Sequence, residues 1–149
     1  MKDKLKLKGK LDIVLLNKEG KVKEHRKEEN LVVTTGLDWI CSTFAAGTGT
    51  AMSHIAIGID NTSEVAGNTT LGSEIVRVGL SSTLANQVAS DVVYTAVFGG
   101  GVGTGAIDEA GIFNDPTSGV MLSRATFPVI NKDSDDTMQI TWTITLSAS

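Results

Sequence analysis

The sequence predicts a mainly β protein, an antiparallel β-sandwich or jelly-roll-like domain with one short α-helix at about residues 37–46. Apolar and polar residues alternate with a period of two through most of the chain, most regularly in the closing stretch "DTMQITWTITLS". Turn-forming stretches separate these segments, and the 149 residues include 16 glycines but only 2 prolines. One segment alone follows the period of an amphipathic helix. We therefore expect seven to nine strands around one core.

Length and composition favour a single folded domain that spans residues 1–149. Hydrophobic residues make up 41% of the chain and charged residues 20%, which is typical of a folded globular protein. Cys41 is the single cysteine, so an internal disulfide is excluded and folding in a reducing compartment is expected. The apolar run "LDIVLL" is too short for a secretion signal or a membrane span, so we expect no membrane partner.

The first element is a basic hairpin at about residues 4–27. Leucines and isoleucine alternate with lysines from Leu5 to Leu15, which is the pattern of a half-buried strand. "NKEG" supplies a turn, and "KVKEHR" returns as the second strand. Gly9 interrupts the first strand and predicts a bulge or a bend.

Charge is divided unevenly along the chain. Residues 1–30 contain ten Lys/Arg and six Asp/Glu, a net +4, whereas residues 31–149 contain three and eleven, a net −8. The lysines of the hairpin, Lys4, Lys6, Lys8 and Lys10, are either a solvated strand face that protects a sheet edge or a docking arm for an acidic partner. Nucleic acid is disfavoured as the partner because this arm has no aromatic side chains.

The segment "TTGLDWICSTFAAG" predicts the helix. Its apolar residues at the spacing i, i+3, i+4 and i+7 are Leu37, Ile40, Cys41 and Phe44. Thr34 or Thr35 is expected to cap its start and Gly47 to end it. Cys41 lies on the apolar stripe, so we expect it to be a buried hydrophobic residue rather than a nucleophile.

The rest of the chain predicts strands separated by turns. The strand segments are "HIAIGI", "SEIVRVGL", "DVVYTAVF", "IDEAGIF", "VMLSRATFPVI" and the closing stretch. The connections are the polar loop "DNTSEVAGNTT", the glycine-rich residues 99–105, and turns at "NDPTSG" and "NKDSDD". In the last strand, we expect the core-facing side chains to be Met138, Ile140, Trp142, Ile144 and Leu146.

No motif predicts a catalytic, cofactor or metal site. "GGGVGTG" lacks the Lys-Ser/Thr pair of a phosphate-binding loop and precedes a strand, so it is interpreted as an inter-strand connection. His25 and His54 have no Cys or His at metal-ligand spacing. The acidic stretches "DSDD" and "DNTSE" match no EF-hand loop, and for each a solvated turn is favoured over a calcium or partner contact.

Two arginines in the acidic part of the chain are further candidates for partner docking. Arg77 and Arg124 both alternate with apolar neighbours on predicted strands. Glu109 can form an ion pair with either of them. An arginine that holds such a pair can also stabilise an interface.

Four segments in this order, "TTLGSEIVRVGL", "GAIDEAGIF", "GVMLSRATFPVINK" and "DTMQITWTITLS", make the chain resemble small virion structural proteins of tailed bacteriophages. The opening "GKLDIVLLNKEGKVKEHRKEENLVVTTG" resembles the start of the same group, so the resemblance covers nearly the whole chain. Such proteins include capsid decoration (cement) proteins and tail-fibre or fibre-attachment proteins. No active site accompanies the resemblance.

The resemblance implies a non-enzymatic protein that binds the outer capsid surface as a homotrimer and stabilises the head. The expected partner is then the major capsid protein or another virion protein, and the expected location is the capsid surface after assembly in the host cytoplasm. The alternative is a tail-fibre or head-fibre component that attaches to a receptor. A third hypothesis is a small hydrolase. It is disfavoured because the sequence shows no cluster of titratable residues that would indicate an active site.

Overall fold

Ten strands and one helix form within residues 4–148, the part of the chain that this computed structural model describes. The helix is α1 (Thr34–Ala46). The strands are β1 (Leu5–Leu16), β2 (Val22–Glu29), β3 (Leu31–Val32), β4 (His54–Gly58), β5 (Glu74–Gly79), β6 (Ser82–Asn86), β7 (Asp91–Phe98), β8 (Gly105–Phe113), β9 (Met121–Lys132) and β10 (Thr137–Ala148).

The strands form two antiparallel sheets of five. The order in the first sheet is β2-β1-β10-β7-β6, and in the second it is β3-β9-β8-β4-β5. The predicted mainly β sandwich with one short helix is thus confirmed. The strand count exceeds the predicted seven to nine because β3 has only two residues and β6 has the weakly patterned sequence "STLAN".

The core lies between the two sheets and follows the predicted alternation. Met138, Ile140, Trp142 and Ile144 of β10 are all buried, whereas Leu146, which was also predicted to face the core, is half-buried. From the same sheet, β7 and β1 contribute the buried side chains of Tyr94, Ala96, Phe98, Leu11, Ile13 and Leu15. The second sheet faces them with Ile55, Ile57, Ile107 and Ile112. A period of two therefore identified the inward faces of β1, β7 and β10 correctly. It does not describe β8, whose core residues Ile107, Ala110 and Ile112 lie on either side of a register shift.

The basic hairpin is an integral part of the first sheet. β1 lies between β2 and β10 and pairs with β10 along its whole length, from Leu5 opposite Ala148 to Leu16 opposite Thr137. The predicted docking arm is therefore a sheet face rather than a separate arm. The turn at "NKEG" is confirmed, because the Asn17 side chain accepts hydrogen bonds from the backbone N–H groups of Glu19 and Lys21.

Gly9 forms no bulge, so that part of the prediction was wrong. It pairs in register with Ile144 of β10. Its lack of a side chain instead makes room for Asn30, whose Oδ1 would lie 1.7 Å from a Cβ at position 9. The same Oδ1 accepts a 3.2 Å hydrogen bond from Nε1 of the buried Trp142.

Helix α1 begins three residues before the predicted start. Its N-cap is Val33, and neither Thr34 nor Thr35 caps it, because Thr35 Oγ1 donates instead to the carbonyl of Met121 on β9. The C-terminus is as predicted: Gly47 has a left-handed φ of 63°, and its N–H donates to the Thr43 carbonyl.

The face of α1 that packs onto the sandwich differs from the predicted stripe. Cys41 is exposed, as are Leu37 and Phe44, so the prediction of a buried cysteine was wrong. Gly36 is buried, and a Cβ there would lie 2.2 Å from the carbonyl oxygen of Leu122. The helix is rotated about its axis because a close backbone contact at a residue without a side chain sets its orientation.

Candidate functional site

A row of lysines lies on the outer face of the first sheet. Lys6, Lys8 and Lys10 of β1 are exposed and follow one another at the strand period, and the exposed Lys4 precedes them. Their inward-pointing neighbours on β1 alternate with them, so the four predicted docking lysines share one surface. We call the outer surface of β1 and β10 at these lysines the basic face.

The basic face continues over polar side chains of β10. In register with Lys10, Lys8 and Lys6 are Thr143, Thr145 and Ser147. A shallow depression of about 400 Å³ on this face is lined by Lys10, Asp12, Lys27, Thr141 and Thr143, together with Leu11. The surface thus combines several ammonium groups with hydroxyl groups and the single carboxylate of Asp12, and this excess of positive charge suits a polar, acidic partner surface.

Arg124, another predicted docking residue, is inside the protein. Its side chain is 3% exposed and forms an ion pair with the fully buried Glu109, with Nη2 2.9 Å from Oε2. This confirms the Glu109 ion pair and identifies its partner. Arg124 also donates to the carbonyls of Thr62 and Asp60. A guanidinium used this way does not reach a partner, so the predicted docking role of Arg124 is corrected to a structural one.

Arg124 and Glu109 together hold the polar loop of residues 59–73 against the second sheet. Glu109 accepts hydrogen bonds from the backbone N–H groups of Gly72, at 2.9 Å, and Ser73, at 2.7 Å. Under this loop a small second core forms from Val33, Ala56, Leu71, Phe113 and Met121. The buried pair therefore carries the backbone contacts that keep this apolar surface covered.

Arg77 is likewise engaged within the chain. Its side chain is 7% exposed and pairs with Glu74 at 2.7 Å. It donates to the carbonyls of Asp115 and Ser118 in the β8–β9 turn, and its guanidinium carbon lies 3.7 Å from the centroid of the Phe113 ring. Arg77 thus joins β5 to a turn, and the structure places it among intramolecular contacts rather than on a free docking surface.

The predicted turn at "NDPTSG" is stabilised by its own aspartate. Asp115 Oδ1 accepts hydrogen bonds from the backbone N–H groups of Thr117 and Ser118. These hydrogen bonds favour the charged carboxylate and lower the pKa of Asp115 to about 2. Asp115 therefore stabilises the turn from within, and Arg77 connects the turn to β5.

The acidic loop "DSDD" is closed by a lysine of the hairpin. Lys23 Nζ lies 2.7 Å from Asp136 Oδ2 and 3.0 Å from Asp133 Oδ2. Asp136 is buried and also accepts a hydrogen bond from the Asp133 N–H. The side-chain bond to Lys23 lowers the pKa of Asp136, and the bond to Asp136 raises the pKa of Lys23. Lys23 thus neutralises the Asp133 and Asp136 carboxylates, two of the candidate calcium ligands in this loop.

We expect Lys23→Met to raise the pKa of Asp136. A depressed carboxyl pKa stabilises the fold above the ordinary value of 3.8, and this stabilisation is lost as the pH falls through the folded-state value. Removing the ammonium group removes the main cause of the depression. An NMR titration of the aspartate side-chain carbons measures it, with Lys18→Met as the control. An unchanged Asp136 pKa would show that Lys23 is not its partner in solution.

The acidic loop "DNTSE" forms its own turn within the loop of residues 59–73. Asp60 Oδ1 accepts a hydrogen bond from the Thr62 N–H at 2.8 Å. Bonds from Thr62 lower the pKa of Asp60. Glu64 accepts a 2.5 Å hydrogen bond from Thr126 Oγ1 of β9. Residues 61–63 are exposed, so this stretch is a solvent-exposed turn whose two ends are held by the Asp60 and Glu64 carboxylates.

Near this loop, burial raises the pKa of the Asp108 carboxyl, and the charges of Glu109 and Asp60 raise it further. Asp108 is nearly buried, and its Oδ1 has no hydrogen-bond partner. The Glu109 oxygens are occupied by Arg124 and two backbone N–H groups. Within residues 4–148, no group of three or more His, Cys, Asp or Glu side chains is arranged to hold a metal ion.

The glycine-rich residues 99–105 form an ordered connection between β7 and β8. Gly101 and Gly103 have φ values of 77° and 71°, which only glycine adopts without strain. The Gly101 N–H donates to the Ser134 carbonyl at 2.7 Å, and the buried Lys132 donates to the Gly99 carbonyl at 2.9 Å. The interpretation as an inter-strand loop is confirmed, and this loop packs on the β9–β10 turn.

The two histidines have separate side-chain partners. His25 Nε2 lies 2.6 Å from Asp12 Oδ1 on the outer surface of the hairpin. His54 Nδ1 lies 2.7 Å from Ser53 Oγ at the start of β4.

Within the described range, no helix is long and apolar enough to span a membrane.

One feature that sequence reasoning missed is an apolar cleft beside helix α1. It lies between the helix and the inner face of the first sheet, and it joins side chains that are far apart in sequence, such as Leu7, Trp39 and Leu146. Phe44, which belongs to the predicted apolar stripe of the helix, lines this cleft and is exposed. Two residues of the predicted stripe, Ile40 and Phe44, do line the cleft. The stripe alone, however, did not show how the helix is rotated against the sheet.

Comparisons with known proteins leave the chain without an assigned family. No family model matches it, no curated protein is significantly similar to it, and no solved structure matches it significantly.

Proposed function

We propose that this protein is a non-enzymatic structural protein of a tailed-bacteriophage virion, a capsid decoration protein that binds the outer capsid surface and stabilises the head. The observation that carries the proposal is the basic face, where Lys4, Lys6, Lys8 and Lys10 lie exposed on one side of a sheet. The rest of the chain is acidic, with a net charge of −8 over residues 31–149. Such a split orients the molecule toward an acidic surface.

The rigidity of the basic face supports a docking role. β1 is paired along its whole length with β10, and its inward side chains from Leu7 to Leu15 lie in the core or pack against it. The lysines are therefore held on a preorganised surface, which limits the ordering entropy lost on binding. In a homotrimer, three such faces would bind together, so that modest contacts sum to a durable attachment.

Co-sedimentation tests the proposal. Purified protein is mixed with undecorated capsids of the phage that encodes it, and with isolated tails in parallel, and the bound protein is quantified after centrifugation. Saturable binding at a fixed ratio to the major capsid protein is the expected result. Binding to tails or host cells alone would favour the fibre component instead, and binding to neither would overturn the virion assignment.

We expect Lys6→Gln/Lys8→Gln to weaken capsid binding about tenfold at low salt, because each exposed ion pair contributes up to about 1 kcal/mol. The matched control is Lys18→Gln/Lys21→Gln, which removes the same charge from the exposed β1–β2 turn region. The measurement is the half-saturation concentration in the sedimentation assay. Equal weakening by both pairs would mean that net charge, rather than the basic face, governs binding.

A further inference from the structure

The apolar cleft beside α1 has a volume of about 190 Å³ and an almost wholly apolar lining. Its walls include Leu7, Ile144 and Leu146 from the first sheet, and Trp39, Ile40 and Phe44 from the helix. Phe44 is 72% exposed, and Leu5, two residues before Leu7 on β1, is 55% exposed. Apolar side chains gathered around one cleft mark a binding site more often than isolated exposed residues do.

One edge of β1 is open beside the cleft. β2 pairs with β1 only from Lys10 onward, whereas β10 pairs with it from Leu5. In the described part of the chain, residues 5–8 thus have a strand neighbour on one side only. Asn30 and β3, which follow β2, lie beside β1 from Gly9 onward, so a further strand could pair only with the backbone groups of residues 5–8. We call residues 5–8 the open edge; its Leu7 lines the cleft.

The side chains of the open edge restrict which strand can pair with it. Lys6 and Lys8 point outward, and Leu5 and Leu7 point toward the inner face. Directly opposed residues of antiparallel strands lie on the same face of the sheet. A second copy that paired through this edge would place its lysines opposite Lys6 and Lys8, which like-charge repulsion disfavours. An incoming strand with acidic residues outward and apolar residues inward would complement both faces.

We infer that the open edge binds an extended segment of a partner protein in which acidic and apolar residues alternate. The segment adds a strand to the first sheet, its carboxylates lie opposite Lys6 and Lys8, and its apolar side chains pack beside Leu5 and Leu7, at the β1 side of the cleft. That the partner is a virion protein rests on the proposed function. The chemistry of the segment rests on the edge and the cleft alone.

A synthetic peptide tests the inference without any virion component. The probe is the acetylated and amidated peptide Gly-Glu-Leu-Glu-Val-Glu-Leu-Gly, and its control has Lys in place of each Glu. Titration into the isotopically labelled protein is followed by NMR. We expect the acidic peptide to shift the amide signals of residues 5–8 and the indole signal of Trp39, and the basic peptide to bind at least tenfold more weakly.

Variants separate the two parts of the site. Lys6→Glu/Lys8→Glu should reverse the preference in favour of the basic peptide. Phe44→Gln should weaken binding of the acidic peptide about fivefold, whereas Leu37→Gln, at another exposed apolar position of α1, should change it less than twofold. Both helix positions are exposed, so the fold tolerates these changes, and the dispersion of the NMR spectrum verifies it.

Three results would overturn the inference: no binding of the acidic peptide, equal binding of both peptides, or shifts confined to another edge. Concentration-dependent shifts at residues 5–8 in the protein alone would assign the edge to a second copy instead. The outcome is separable from that of the capsid experiment. Peptide binding without capsid binding overturns the virion assignment only, and capsid binding without peptide binding overturns the strand-addition mode only.

Discussion

Glu109→Gln is expected to lower the free energy of unfolding by about 3–5 kcal/mol, the range typical of removing one partner of a buried ion pair. Arg124, with a side chain 3% exposed, would keep its charge without a counter-ion. The new amide group would also place an N–H₂ donor among N–H donors, since Glu109 accepts from Arg124, Gly72 and Ser73. Both effects act on the same buried site. Urea-induced unfolding measures the change.

The matched control is Glu28→Gln, the same chemical change at a surface ion pair. Glu28 lies 3.7 Å from Arg26 and its side chain is partly exposed, so the expected loss is at most about 1 kcal/mol. Hydrogen exchange adds a second readout. In Glu109→Gln we expect faster amide hydrogen exchange at Gly72 and Ser73, because their N–H groups donate hydrogen bonds to the Glu109 carboxylate. Equal losses in the two variants would contradict a clamping role for Glu109.

Gly36→Ala is expected to destabilise the protein by about 1–3 kcal/mol, the usual cost of overpacking. Two effects oppose each other here. Alanine is favoured over glycine inside a helix by up to about 1 kcal/mol. The added Cβ, however, would lie 2.2 Å from the Leu122 carbonyl oxygen and 2.9 Å from its carbonyl carbon, which are backbone atoms of β9 that cannot rotate away. The steric cost therefore exceeds the gain in helix propensity.

Gly67→Ala is the control for Gly36→Ala. A Cβ at position 67 meets no atom within 4 Å, so this substitution should leave the stability unchanged or raise it slightly. Thermal unfolding of the two variants under identical conditions gives the comparison. A more stable Gly36→Ala protein would show that α1 is not held against β9 as tightly as its geometry indicates.

Much of the fold could be predicted because strand alternation is a local signal. The inward residues of β10 and of β7 follow directly from a period of two. The turn at Asn17 follows from the turn-forming residues "NKEG". The lysine row was visible in the same way, since one period places Lys6, Lys8 and Lys10 on one face of β1. Each inference needs only neighbouring residues and the geometry of an extended chain.

The two arginines show that a local sequence pattern does not predict whether a strand residue is exposed. Arg77 and Arg124 sit on strands as predicted, but alternation alone does not say whether a face of a sheet meets solvent or a covering loop. The loop of residues 59–73 covers the second sheet and removes Arg124 from the surface, because that guanidinium has acceptors at Asp60, Thr62 and Glu109. Those contacts join residues up to 64 positions apart.

The amino-acid sequence alone was sufficient for the mainly β class, the single short helix, the inward faces of β1, β7 and β10 and the basic row on β1, since all of these depend on residue period and turn chemistry. Tertiary structure alone decided the rotation of α1, the burial of Arg124 and the open edge beside the apolar cleft. A backbone contact at Gly36, a buried ion pair with Glu109 and the late start of β1–β2 pairing at Lys10 cause these features. Each of these causes is a contact, or a missing contact, between segments that are distant in the sequence, and a local sequence pattern does not specify such contacts.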